Sequence, residues 1–214
     1  MRAAAGAIER VTLSEEGVEL GVIGDEVPIG ICGSGIIDAV GELVRCKIVD
    51  KNGRLLSPER LAKKGVPEKL IACVRTTDGV NDFVLYDGKG ENPDVLITQK
   101  DVREVQLAKA AISAGFRIMM NVIGITDESL SRISIAGAFG NYISKSSAIN
   151  IGLLPKIPEE KIFSLGNSAG IGASMILLSQ KFQKEAEECV RQIEHIQLAT
   201  EPDFQTEYMM AMRF

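Results

Sequence analysis

The sequence has 214 residues, the size of one large domain or of one domain with a smaller inserted lobe. Hydrophobic residues make up 45% of it and charged residues 25%, so extended disorder is excluded. The formal net charge is −5, which predicts that no basic face collects the phosphates of a nucleic acid. We therefore expect no nucleic-acid partner.

Membrane and export signals are also missing from the sequence. The longest apolar stretch, at 171–179, falls short of the ~20 residues that a membrane span needs, and it predicts a buried helix instead. Met1 and Arg2 precede a run of small residues without the apolar core of a secretory signal. These observations predict a cytoplasmic protein that does not bind membranes.

The residues with the strongest metal and nucleophile chemistry are scattered. Cys32, Cys46, Cys73 and Cys189 show no C-x-x-C spacing, so we expect no zinc or iron–sulfur ligands and no metal site in this chain. The single histidine, His195, follows an amphipathic segment and is predicted to be a surface residue rather than a catalytic base. The pattern identifies no catalytic residue.

The first elements form a strand pair followed by a helix. Alternating polar and apolar residues at 7–13 and 18–23 flank a turn and predict a β-hairpin. Gly33-Ser34-Gly35 then opens a segment with the periodicity of one helix face, carried by Ile36, Ile37, Val40, Leu43 and Val44. A glycine-rich loop is therefore predicted to lead into the N-terminus of a helix.

The segment 47–97 differs from its flanks because turn-forming residues recur along it. Only 70–75 and 83–86 look like strands. We interpret this segment as a small inserted lobe beside the main core, with 1–46 and 98–214 forming the main domain.

The remaining chain predicts an α/β domain. Thr98 and Asp101 have the spacing of a capping box, and the helix that follows is predicted to stop at Gly124. Strands at 132–136 and 161–165 each lead through glycines into a helix, which favours parallel neighbours. The segment 180–196 is predicted to be an amphipathic helix that packs on the sheet or on a neighbouring domain through one apolar face, formed by Phe182, Ala186, Cys189, Val190 and Ile193.

Three glycine-rich loops, beginning near Gly33, Gly137 and Gly166, are candidates for ligand binding. Glycine lets backbone N–H groups approach a phosphate, and a helix N-terminus adds partial positive charge. Neither G-x-G-x-x-G nor a P-loop is present, and each loop taken alone is explained by packing. Three loops together favour a ligand site. The loops at Gly137 and Gly166 are predicted to lie at the carboxyl ends of their strands, as neighbours at the same edge of the sheet.

Five motifs, in this order, carry a resemblance to a known family. The segments 29–38, 97–111, 136–143, 152–155 and 198–204 read IGICGSGIID, ITQKDVREVQLAKAA, AGAFGNYI, GLLP and LATEPDF. Together they resemble the C-terminal part of the reductive activators of corrinoid proteins. The resemblance implies the C-terminal half of an actin-like or sugar-kinase-like ATPase fold, of the acetate and sugar kinase, heat-shock protein and actin superfamily.

The same resemblance implies a set of nucleotide-binding residues. The strand before Gly137 is similar to the adenosine motif of the superfamily, with Ala138 where a second glycine is usual, which points to Gly137, Ala138, Phe139 and Asn141. The helix after Thr98 would place Gln106 and Lys109 beside the adenine, unless both lie on a solvated helix face. The other two glycine loops complete the candidate set with Gly33, Ser34, Gly35, Gly166 and Asn167.

For the intact protein, the resemblance implies ATP hydrolysis, with Mg²⁺, coupled to electron transfer from a 2Fe–2S cluster to a Co(II) corrinoid protein, which restores Co(I). The chain lacks the Asp-x-Gly-Thr phosphate loops of the superfamily and the N-terminal cluster domain, so we expect it to be inactive alone. The expected partner is a corrinoid protein, and a homodimer is possible. Two alternatives stay open: a docking or self-association module without turnover, and half of a carbohydrate-type kinase.

Overall fold

The computed structural model describes residues 1–137, 140 and 142–214. The predicted site residues Ala138, Phe139 and Asn141 lie outside the described residues. The described strands group into three small sheets, two of three strands and one of two, with helices packed around them. The mixed α/β class that the sequence predicts is therefore confirmed.

The first sheet carries the predicted hairpin and the first helix. Its elements are β1 (Ala7–Ser14), β2 (Gly17–Val22), β3 (Gly30–Ile31) and α1 (Gly33–Arg45). β2 pairs antiparallel with β1, and β3 runs parallel along the other edge of β1. Farther along that edge, α1 supplies the hydrogen-bond partner in place of a strand. The backbone N–H of Val11 donates to the carboxylate of Asp38, in α1, at 2.8 Å. Side chains of α1 thus cap the strand edge.

The second sheet lies in the segment 47–97. Its elements are α2 (Pro58–Lys63), α3 (Glu68–Ile71), β4 (Val74–Thr77), β5 (Val80–Tyr86) and β6 (Val95–Ile97). The predicted strand at 70–75 is wrong in its first half, where Leu70 belongs to α3. Pro67 is the N-cap of that helix, with its φ at −54° and its ψ at 138°. The short strand β6 was not predicted.

This segment shares its hydrophobic core with the residues before and after it. Phe83 and Ile97 are fully buried and belong to the same cluster as Ile8 and Leu43. The expectation that the segment lies outside the main core is therefore wrong, because its strands supply apolar side chains to that core. The division into an inserted lobe and a main domain stays a prediction.

The long predicted helix is confirmed as α4 (Gln99–Ile123). The Thr98 hydroxyl accepts from the Asp101 backbone N–H at 3.2 Å, and Asp101 accepts from the Thr98 N–H at 2.9 Å, which completes the capping box. The helix ends at Gly124, whose φ of 69° is the left-handed conformation of a C-terminal cap.

The third sheet and the C-terminal helices follow. Their elements are β7 (Ile133–Ala136), α5 (Lys145–Asn150), β8 (Ile162–Gly166), α6 (Ser168–Leu178), α7 (Gln180–Gln192) and α8 (Phe204–Ala211). β7 and β8 are parallel, as the sequence predicts, with Ile133 opposite Ile162. These two isoleucines form a second hydrophobic cluster with Ile157.

The helices α6 and α7 are exposed. The sequence predicts a buried helix at 171–179, but α6 contains no buried residue, and neither does α7. Val190 and Ile193, on the predicted apolar face of α7, are also exposed. The prediction of burial is wrong for α6, because no described element of the chain encloses it. Packing of α7 on the sheet or on a neighbouring domain stays a prediction. His195 is exposed, as predicted.

Candidate functional site

The loops after β7 and β8 lie side by side. The backbone N–H of Gly137 donates to the carbonyl oxygen of Gly166 at 2.7 Å, which confirms that the two predicted loops are neighbours. Gly137 has a φ of 89° and Gly166 a φ of 60°, conformations that L side chains rarely adopt. A Cβ on Gly137 would meet no atom of the described residues within 4 Å, so those residues leave the space beside this loop open.

The third predicted loop opens α1. A Cβ on Gly35 would lie 2.2 Å from the carbonyl oxygen of Ile8, so this glycine allows α1 to lie directly on β1. Gly33 and Ser34 instead face a cavity. The side chain of the N-cap residue Cys32 makes no capping hydrogen bond to the first turn of α1, which leaves N–H groups of that turn suited to bind a ligand.

This cavity, which we call the α1 cavity, has a volume of about 670 Å³. Its walls come from the N-terminal residues, β1, the end of β2, the start of α1 and Tyr142: Ala3, Glu9, Val22, Ile23, Gly24, Asp25, Cys32, Gly33, Ser34 and Tyr142. Val22 and Ile23 supply apolar surface, and Tyr142 supplies an aromatic ring that is 65% exposed. The volume and the mixed lining suit a ligand with a flat ring and a polar part.

The charges of the α1 cavity favour hydroxyl groups over phosphates. Glu9 and Asp25 line it, and none of its described lining residues is basic. Carboxylates accept hydrogen bonds from sugar hydroxyls but repel phosphate oxygens. The cavity therefore fits the nucleoside part of a nucleotide better than the triphosphate, although the N–H groups at the start of α1 and the hydroxyls of Ser34 and Tyr142 could donate to an anion.

Sequence reasoning did not identify Glu9, Asp25 and Tyr142. Tyr142 lies within the quoted motif 136–143, and its position beside the glycine loop was an available signal. Asp25 follows Gly24 in a tight turn and has a φ of 51°. Glu9 gave no signal, because its alternation in β1 is that of any half-buried strand.

Asn167 has a role within its own helix. Its side chain is the N-cap of α6 and accepts a hydrogen bond from the Gly170 N–H at 3.1 Å. This bond satisfies one of the free N–H groups of the first turn. Contact of Asn167 with a nucleotide stays a prediction.

Gln106 and Lys109 lie on the buried face of α4, each only 2% exposed, so the alternative of a solvated helix face is wrong. The amide of Gln106 donates to the carbonyl oxygen of Met212 at 2.7 Å and to that of Asn52 at 3.2 Å. The ammonium of Lys109 donates to the carbonyl oxygen of Arg213. Both side chains thus hold the residues that follow α8.

Lys109 lines a second cavity, of about 360 Å³, between α4, α8 and residues 152–156. Its ammonium lies 5.1 Å from the ring centroid of Phe214, and burial lowers its pKa to about 8. Neither Gly33, Ser34 nor Tyr142 lines this second cavity. The structure therefore does not bring Lys109 together with the predicted glycine loops, and its contact with adenine stays a prediction.

The cysteines do not form a cluster site. Cys32 is buried, Cys46 and Cys73 are half-buried, Cys189 is exposed, and all are free thiols. Burial raises the pKa of Cys46 and of Cys73, which disfavours their thiolate forms. Among residues 1–137, 140 and 142–214, no group of three or more His, Cys, Asp or Glu side chains is placed to hold a metal ion. In the same residues, no helix is long and apolar enough to cross a membrane.

Comparisons with known proteins define the class and then the family. A solved structure described as a reductive activator for corrinoid, iron–sulfur protein is similar over 100% of this chain and 33% of its own, with a TM-score of 0.83 and 37% identity. The class is therefore the actin-like fold of that activator, as the motifs predict. A family sequence model, described as the C-terminal domain of RACo, the ASKHA domain, matches residues 1–214. The chain belongs to this family.

Two curated relatives have related descriptions. The corrinoid activation enzyme RamQ of Eubacterium limosum is 41% identical over 221 residues, which cover 100% of this chain and 36% of RamQ. The Co(II) methylated amine-specific corrinoid protein reductase of Methanosarcina barkeri is 28% identical over 124 residues, which cover 57% of this chain and 23% of the reductase. The chain thus spans about a third of the length of RamQ.

Proposed function

We propose that this chain is the nucleotide-binding C-terminal part of a protein that uses ATP hydrolysis to drive the reduction of a Co(II) corrinoid protein to Co(I). Membership of the RACo family and the similarity to RamQ support the corrinoid partner. These relatives favour this function over the carbohydrate-kinase alternative. As the chain spans about a third of RamQ, the activity is proposed for a longer protein.

The α1 cavity is the observation that carries the proposal of nucleotide binding. The uncapped N-terminus of α1 opens into it at Gly33 and Ser34, and Tyr142 stands on its wall. The base would stack on the Tyr142 ring, and the ribose hydroxyls would donate to Glu9 or Asp25. Because Gly137 has no side chain, the space beside its own loop would stay open to the nucleotide.

The rest of the machinery is proposed to lie elsewhere in the longer protein. None of the described residues that line the α1 cavity is basic, so the phosphates and their Mg²⁺ require groups from outside it. The dispersed cysteines do not fit a 2Fe–2S cluster, which would supply the electron from another domain. We propose that this chain alone is inactive and that the whole protein is cytoplasmic.

A pair of glycine variants tests nucleotide binding at this site. Gly137 and Gly65 both have positive φ, 89° and 72°, and a Cβ on either would meet no atom within 4 Å. Valine at either position carries the same kind of backbone strain, but only Gly137 belongs to the glycine loop that the proposal assigns to the nucleotide. In the longer protein, we expect Gly137→Val to abolish the ATP-dependent formation of Co(I), followed by absorbance, and Gly65→Val to preserve it.

Direct titration with ATP separates binding from folding. Tyr142→Ala should weaken ATP binding by about tenfold, because stacking of a base on an aromatic ring contributes ~1–3 kcal/mol, and Tyr142→Phe should keep the affinity. Lost stability of Gly137→Val with unchanged ATP affinity would refute the nucleotide role of that loop. A longer protein whose reduction of the corrinoid protein is independent of ATP would refute the proposed function.

A further inference from the structure

One face of the parallel sheet of β7 and β8 is largely exposed in the part of the chain that the structure describes, where the Arg132 guanidinium lies 5.4 Å from the centroid of the Phe163 ring. Ile133 and Ile162 point into the second hydrophobic cluster, while Phe163 and Leu165 lie on the opposite face and are 45% and 43% exposed. Sheets of parallel strands are normally covered on both faces, and their side chains are apolar for that reason. The apolar residues on the open face of β8 therefore indicate a missing cover.

The helix that follows β8 is also without a cover. Ile176, Leu177 and Leu178 are consecutive residues of α6, so their side chains point in directions about 100° apart around the axis. All three are exposed, and Leu177 and Leu178 expose 85% and 83% of their surface. A helix that is apolar on all sides is normally enclosed. A partner that contacted α6 on one side only would leave part of its apolar surface exposed to water.

The following helix, α7, has an exposed apolar face. α7 packs against α6, yet Val190 and Ile193 remain 67% and 72% exposed at one end of it. The side chains of Lys184 and Arg191 lie on its other, charged faces. A helix with one apolar stripe normally buries that stripe against another element.

We propose that these residues form a docking surface for the part of the same longer polypeptide that precedes this domain. We call it the apolar surface: Phe163, Leu165, Leu177, Leu178, Val190 and Ile193. RamQ and the solved activator align with all 214 residues but are about three times as long, and the family description places the matched region at the C-terminus. The remaining two-thirds of such a protein provides a permanently tethered cover.

The distribution of apolar residues favours this occupant over a second copy of the chain. A two-fold dimer buries one patch of each subunit against the same patch of its partner. The residues of the apolar surface instead lie on three elements: one face of a sheet, a helix exposed in several directions and the stripe of a further helix. Such a surface has to be enclosed rather than merely paired, and a tethered segment does this without the concentration dependence of a dimer.

Cysteine labelling tests the proposal directly. Cys189 is exposed and lies on the apolar face of α7, while Cys46 and Cys73 are half-buried in the first core and serve as internal references. Maleimide labelling followed by peptide mapping should modify Cys189 rapidly in the 214-residue chain and at least about tenfold more slowly in the longer protein. The rates at Cys46 and Cys73 should agree between the two proteins.

Charge substitutions provide the second measurement. Leu177→Glu combined with Leu178→Glu should lower the melting temperature of the longer protein while leaving that of the 214-residue chain unchanged. Lys184→Glu, on the charged face of the neighbouring helix, is the matched control and should affect neither protein. Equal labelling of Cys189 in both proteins, with the double variant tolerated in both, would overturn the proposal. So would a sedimenting dimer of the 214-residue chain in which Cys189 is protected.

Discussion

The core around α1 and α4 buries a lysine, whereas the C-terminal helices expose leucines. Lys109 is 2% exposed, and Leu177 is 85% exposed. Around α4, elements from distant parts of the chain pack together, and the carbonyl oxygen of Arg213 accepts a hydrogen bond from the Lys109 ammonium. Around α6, only α7 is in substantial contact. Burial in this protein therefore follows the supply of neighbours rather than the hydropathy of the residue.

The helices α1 and α6, which we call the two glycine-led helices because Gly33 opens α1 and Gly166 lies just before α6, show the same contrast in burial. α1 follows β3 and begins at Gly33, and α6 follows β8, which ends at Gly166. However, α1 buries Ile37, Val40 and Leu43, while α6 buries none of its residues. The difference lies in what they pack against. α1 lies on β1 and α5, and Asp38 fixes it to both of them through the Val11 N–H and the Ser147 hydroxyl.

The largest effect is expected from Gly35→Ala, at the contact between α1 and β1. The added Cβ would lie 2.2 Å from the carbonyl oxygen of Ile8, a backbone atom, so the helix has to move away from the strand. Overpacking of this kind typically costs about 1–3 kcal/mol, despite the higher helix propensity of alanine. Urea denaturation of the 214-residue chain measures the change. A variant as stable as the wild type would mean that α1 does not pack on β1 as described.

A slightly smaller effect is expected from Asp38→Ala, which removes the link from α1 to β1 and α5. Asp38 is 5% exposed, and its loss leaves the Val11 N–H and the Ser147 hydroxyl without this acceptor. An unsatisfied buried donor costs about 1–3 kcal/mol, but the Ser147 hydroxyl can rotate toward another acceptor, which reduces the cost. Ser146→Ala, at an exposed neighbouring hydroxyl, is the control. Equal stability of the two variants would contradict a role for Asp38 in holding α1.

The Lys109 ammonium should make stability depend on pH in the alkaline range. Burial lowers its pKa from 10.5 to about 8, so above pH 8 the folded state releases a proton that the unfolded state retains up to about pH 10.5. The unfolded state then binds more protons, and stability rises with pH through this window. Relative to Lys109→Met, the wild type should become more stable between pH 8 and pH 10.5. Denaturation midpoints that run parallel for both proteins would contradict this.

Local elements could be predicted from the sequence because their signals are local. The capping box at Thr98 and the stop at Gly124 depend on residues within one turn, and both are confirmed. The loops at Gly137 and Gly166 were predicted as neighbours because parallel strands end at the same edge of a sheet.

The missed features depend on residues far apart in the sequence. The close approach of Gly35 to Ile8 is set by how α1 crosses β1, which no spacing reveals. The binding of Lys109 to Arg213 joins residues 104 positions apart. In the candidate site, Glu9 and Tyr142 meet only after β1 and the glycine loop are placed. The exposure of α6 could not be predicted either. Hydropathy indicates that a segment favours burial, but it does not show whether another element covers that segment.

The smallest effect is expected from Gly172→Ala in α6, the counterpart of Gly35→Ala in a helix without neighbours. A Cβ at Gly172 would meet no atom within 4 Å. Alanine reduces the entropy lost when the helix forms, which stabilises an exposed helix by about 0.5–1 kcal/mol. We expect slower amide hydrogen exchange within α6 of the 214-residue chain and little change in its global stability, because α6 contributes no buried residue to a core. Faster exchange in α6, or a loss of global stability, would show that α6 is packed in solution, and the contrast between the two glycine-led helices would fail.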